Sequence, residues 1–144
     1  MLAGTPSLSA CTSFEISPST RRSSRSVAVT LALAAIELFV HLEPTQAPSD
    51  LVAISAILPE AEPARTIELS ELPPDWWTDP QATHELGDAW IRSGSSLALK
   101  VPSVPIRSEW NVLVNPHHSR MSELRIDPPQ PFVFDARMFA RTGR

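Results

Sequence analysis

The chain has 144 residues, with 12 Lys plus Arg against 16 Asp plus Glu and a net charge of -4, so it carries no excess positive charge for a nucleic-acid backbone. About a quarter of it is Leu, Ile, Val or Phe, above the range of disordered chains and enough for one domain with a core. The single Cys11 excludes an intrachain disulfide and a Cys-rich zinc site, which fits a reducing, cytoplasmic setting.

The first 26 residues hold eight Ser, three Thr, three Arg and one acidic side chain, and the composition changes at Ser26. Such a stretch reads as a transit peptide, as a disordered tail, or as translation from a wrong frame. With no sustained period of 2 or 3.6, it is expected to contribute no structural element. The division is therefore residues 1–29, disordered or aberrant, and residues 30–144, the folded domain.

From Thr30 the apolar positions Leu31, Ala35, Leu38 and Leu42 recur at helical spacing, with Thr30 as N-cap and Pro44 as a stop. The nearly apolar run Val27 to Val40 is 14 residues long, too short for the roughly 20 needed to span a bilayer, and no membrane role is expected. Leu51 to Leu58 reads as a buried strand and Arg65 to Leu69 as a half-exposed one. Two prolines make Leu72 to Trp77 (LPPDWW) a loop.

Asp79-Pro80 opens a second helix that runs to Ser93 before Gly94, with Leu86, Ala89, Trp90 and Ser93 on one face. Extended runs follow at Leu97 to Val101, at Trp110 to Val114, and from Ile126 to Phe134 around Pro128-Pro129. Two helices among several short strands predict an α+β domain.

No GxGxxG or GxxxxGK[ST] loop occurs among the four glycines, which removes Rossmann and P-loop chemistry. His41, His84, His117 and His118 form no i,i+4 pair, so no metal site is expected. Ser103 and His118 suggest a hydrolase pair, but no GxSxG elbow accompanies them. Glu37 is more informative, because its helical neighbours Leu33, Ala34, Val40 and His41 put its carboxylate in a largely apolar stripe. It is either a buried acid that is paired or used, or a residue at the stripe's edge that reaches water; periodicity leaves both open. Trp90 and Trp110 read as core, and Trp76-Trp77 as a packed loop or a lid.

Three segments, in order, resemble the RES domain, the toxin half of a bacterial toxin–antitoxin pair. They are LALAAIELFVHLEP (Leu31 to Pro44) with DLVAISAIL (Asp50 to Leu58), ELPPDWW (Glu71 to Trp77) with THELGDAWIRSG (Thr83 to Gly94), and LALKVPSVPIRSEWNVLVNPHH (Leu97 to His118). The tail IDPPQPFVFDARM (Ile126 to Met138) continues the pattern. The resemblance implies an ADP-ribosyltransferase-like mixed sheet with flanking helices. It also implies NAD as substrate rather than cofactor, cleaved between nicotinamide and ribose, and an Xre-type helix-turn-helix antitoxin as partner. It assigns Glu37 as the catalytic carboxylate and Ser103 as a substrate ligand, and Asn111 is a candidate second ligand. The family's Arg, from a GRWN-like stretch, and its Tyr have no counterpart; the chain contains no Tyr, and Arg21, Arg22 and Arg25 do not fit the pattern. The N-terminal part of the domain is thus expected to be missing or replaced. That predicts a poor NAD-consuming enzyme or, alternatively, a catalytically inactive module that still binds its antitoxin.

Overall fold

The structure is a computed structural model; it describes residues 12–18, 26–43, 48–60 and 64–139, with only the backbone of residues 12–18, 26 and 27. Cys11, Arg21, Arg22, Arg25 and Pro44 lie outside the described residues. Two helices pack on one mixed sheet, and the domain is α+β.

In chain order the strands are β1 (Thr12–Pro18), β2 (Ser26–Ala28), β3 (Leu51–Ile57), β4 (Arg65–Thr66), β5 (Ala98–Pro102), β6 (Trp110–Val114), β7 (Arg125–Ile126) and β8 (Gln130–Pro131). They line up as β4-β5-β6-β2-β1-β3-β7, with β8 also on β3. Among the described residues only the β4–β5 pair is parallel.

The N-terminal stretch corrects the expectation drawn from composition. β1 pairs with β3 over seven positions, from Thr12 opposite Ile57 to Pro18 opposite Leu51, and lies between β3 and β2. With β7 and β8 on its other side, β3 is not left as an open edge. The expected strand after Pro63 is shorter than predicted: β4 is two residues, and Leu69–Glu71 turns into one 3-10 turn capped reciprocally with Glu68.

Local chemistry sets both helices. Thr30 Oγ1 accepts from the Leu33 amide and starts α1 (Leu31–Phe39), which closes at Val40 and His41 before the expected stop at Pro44. Asp79 Oδ1 accepts from the Gln81 and Ala82 amides at the head of α2 (Pro80–Ser93), and Gly94 ends it at φ +58°, a left-handed cap that glycine adopts without strain. On α2 Trp90 is buried, with its indole N–H donating to Ser96 Oγ, whereas Ala89 and Ser93 face outward, unlike the predicted stripe. On α1 the buried residues are Leu33 and Ala34, and Leu31 is exposed.

Strand alternation and register bring Ala28, Leu99, Val101, Asn111 and Leu113 to one face of the sheet. α2 covers Leu99, Val101 and Leu113 with Trp90, Leu86 and Ile91, while α1 packs with Ala28, Leu51 and Phe134. On the other face, Ala98 and Val112 meet Leu58, Leu97, Met121 and Leu124. Trp110, expected in the core, is half-buried under the Lys100 ammonium, 4.6 Å from its ring centroid. The two helices thus flank a gap on one face of the sheet, and Asn111 lies on that face between them.

Candidate active site

Glu37 is the seventh residue of α1, at the end of its second turn, where the helix leaves the core. Leu33 and Ala34, one turn back, are buried; Val40 and His41, one turn on, are exposed and line a cleft with Glu37 itself. The carboxylate turns inward rather than to water. Ser103 Oγ donates to Glu37 Oε1 at 2.7 Å and Asn111 Nδ2 donates to the same oxygen at 2.5 Å. Of the two readings that periodicity left open for Glu37, the paired acid is the one observed.

The three residues named from sequence therefore meet at one atom, although they are 66 and 74 positions apart in the chain. Ser103 follows β5 directly and has no exposed surface; its amide donates to the Glu109 carbonyl and closes the loop between β5 and β6. Its hydroxyl accepts from the Ile106 amide at 3.3 Å and spends its proton on Glu37. The hydroxyl thus holds the carboxylate in place. Asn111, in β6, gives its amide N–H to Glu37, so its Oδ1 points elsewhere. That oxygen is buried and accepts nothing among the described residues.

Both donors fall on Oε1, and Oε2 accepts no hydrogen bond among the described residues. One oxygen fixes the carboxylate and the other is uncommitted, an arrangement suited to holding negative charge near a bound group.

Two hollows adjoin this cluster. The outer cleft, about 300 Å³, is lined by Glu37, Val40 and His41 of α1, Trp76 and Trp77, Pro80 and Thr83 of α2, and Val104 and Pro105. The inner cavity, about 240 Å³, is lined by Asn111 with Ile67, Leu72, Leu86, Leu99, Val101 and Leu113, and by His84 near Thr83. Trp76, Thr83 and Val104 belong to both walls. Trp76 is buried and meets Trp77 edge-on, with ring centroids 6.1 Å apart, so the LPPDWW loop forms a wall of the site.

The sequence does not single out Thr83 or Arg107 as neighbours of the site, and it gives His41 only as a helical neighbour of Glu37 and Trp77 only as part of a packed loop or a lid. His41 was within reach of it, one helical turn after Glu37. Among the described residues no group of three His, Cys, Asp or Glu is close enough to hold a metal ion. His117 and His118 lie apart, in a turn where Asn115 Oδ1 accepts from the His117 amide.

A family model described as the RES domain matches residues 27–135. The chain belongs to the RES family. The match begins at Val27, three residues before the domain boundary expected from composition. Among curated relatives, "Toxin Res" of Yersinia enterocolitica is 30% identical over 115 residues, 78% of this chain and 75% of that protein. "Toxin Res" of Pseudomonas putida is 32% identical over 108 residues, 74% of this chain and 72% of that one. The "Prs ADP-ribosylating toxin" of a Sphingobium species is 27% identical over 114 residues, 76% and 71% respectively. Glu37, Ser103 and Asn111 all lie inside the matched region of this RES chain.

Proposed function

We propose that the chain cleaves the bond between nicotinamide and ribose in NAD, with Glu37 as its catalytic carboxylate. The observation that carries this reading is the division of labour on Glu37: Oε1 is held by Ser103 and Asn111, and Oε2 is left for a ligand. As the glycosidic bond breaks, its electron pair leaves with nicotinamide and positive charge builds on the ribose ring. A fixed, uncommitted carboxylate oxygen stabilises that charge. An oxygen of water or phosphate then bonds to the ribose carbon; with water as acceptor, one proton is released. Ser103 is a positioning residue that keeps the carboxylate aimed. The inner cavity offers an apolar slot for the nicotinamide ring, and Asn111 Oδ1 is an acceptor that a carboxamide N–H would satisfy.

Turnover is expected below about 1 per second, because no Tyr exists in the chain to supply the family's aromatic anchor. The test is release of free nicotinamide from NAD by the purified chain. Release that depends on Glu37 supports the reading, and none above the background of a Glu37→Gln variant overturns it.

Relatives carry the printed name "Toxin Res", and the partner proposed for this chain is the one that the RES resemblance implies, an Xre-type helix-turn-helix antitoxin in the same cytoplasm. The missing Tyr also favours a second reading, an inactive module kept for that interaction. Co-purification with the antitoxin, without nicotinamide release, is its signature. No helix among the described residues is long and apolar enough to cross a membrane.

A further inference from the structure

The cleft that contains Glu37 carries an acid on one wall and no Lys or Arg among its lining residues. Val104 and Pro105, in the loop between β5 and β6, form part of the facing wall. Two residues on, the guanidinium carbon of Arg107 sits 3.8 Å from the ring centroid of Trp77, and Trp77 lines the same cleft. Stacking fixes the plane of an arginine and uses its face, which leaves the N–H fork at the edge free for a planar or tetrahedral anion.

Among the described residues, Arg65, Arg120, Arg125 and Arg137 are each paired with a carboxylate, Lys100 lies over Trp110, which does not line the cleft, and Arg92, on α2, makes no ion pair but neither lines the cleft nor stacks on a residue that does. Arg107 makes no ion pair among the described residues and is exposed. Glu37 is likewise bonded to neutral donors and not to a cation. Glu37 lines the cleft and Arg107 reaches it through Trp77, and neither is neutralised by an ion pair among the described residues, as a ligand bearing both a phosphate group and a site of developing positive charge requires.

We propose that Arg107, seated on Trp77, is the phosphate-binding residue of this cleft and takes the diphosphate of a dinucleotide. The proposal rests on the NAD reading for the identity of the dinucleotide, not for the anion site itself. A stacked arginine at the rim also supplies, from a different part of the chain, the cation that the sequence lacks at the family's usual position.

The test uses the full chain and two measurements. Calorimetric titration with ADP-ribose reads anion binding without any chemistry, and nicotinamide release is compared for NAD and for nicotinamide riboside, which has no phosphate. Arg107→Ala should weaken ADP-ribose binding by about tenfold or more and flatten its salt dependence. It should raise KM for NAD by a similar factor with kcat nearly unchanged, and leave nicotinamide riboside cleavage as it was. Arg107→Lys, a charge without the fork, should fall between, and Trp77→Phe, which keeps a ring face, should retain most of the binding. Equal ADP-ribose affinity in wild type and Arg107→Ala, or no ADP-ribose binding by wild type, overturns the proposal. So does an equal loss on nicotinamide riboside, which marks Arg107 as merely structural. Arg107-dependent ADP-ribose binding in a chain that releases no nicotinamide upholds the anion site and removes the NAD-cleavage reading.

Discussion

The two sides of the Glu37 hydrogen-bond cluster are built differently. The donor side is the antiparallel pair β5–β6, five register pairs long, with Leu97, Ala98 and Leu99 fully buried and Ser103 closing its loop. The acceptor side is α1, nine residues, of which only Leu33 and Ala34 are buried and whose last turn opens into the cleft. The donors are held by a frame packed on both faces, whereas the acid is carried by a short helix that depends on a cap and on the aromatic group Phe39, Phe134 and Phe139. Nine residues are marginal as an isolated helix, so tertiary packing supplies most of what keeps α1 formed. Damage to the frame should therefore appear first as lost stability, and damage to α1 first as lost aim of the carboxylate.

Leu97→Ala gives the largest stability effect of this pair of tests. The side chain is fully buried among Leu58, Ala98 and Val112 and does not line either hollow, so its removal should cost about 2 to 5 kcal/mol in denaturant unfolding. The fraction that stays folded should keep its nicotinamide release. Activity lost per folded molecule would break the contrast by showing that the frame also aims the site.

Thr30→Ala is the smaller effect and sharpens the other side. Loss of the bond from the Leu33 amide should cost about 1 kcal/mol of stability, yet lower nicotinamide release in protein that is still folded, because Glu37 rides on the helix that frays. A stability loss as large as that of Leu97→Ala would mean that α1 belongs to the frame.

The same contrast governs what the sequence made legible. Both helices could be read because their signals are local: Thr30 and Asp79 as caps, Pro80 at the first position, Gly94 at the end. β1 was not, since its seven pairs are with β3, some forty residues later, and a Ser-rich composition obscures the brief alternation of Phe14 and Ile16. β2, three residues long, is too short to carry a period and owes its place to β6. At the site, Glu37 stood out as an acid in an apolar stripe, and family resemblance drew attention to Ser103 and Asn111. The convergence of all three on Oε1 depends on register between β2, β5 and β6, which no local pattern encodes. Trp77 was legible as part of a packed loop or a lid, but its contact with Arg107 left no sequence signal.

The central claim is that Glu37 acts through its charge and Ser103 only through Glu37. The direct measurement is nicotinamide release from NAD by wild type, Glu37→Gln and Ser103→Ala, each checked to be folded. Gln keeps an oxygen for the Ser103 and Asn111 donors and loses the negative charge, so the rate should fall by about a hundredfold or more, roughly 2.7 kcal/mol of transition-state stabilisation. Ser103→Ala removes one of two donors on Oε1 and should cost about tenfold. Near-full activity in Glu37→Gln, with activity abolished in Ser103→Ala, would contradict the account and put the serine at the centre of the chemistry.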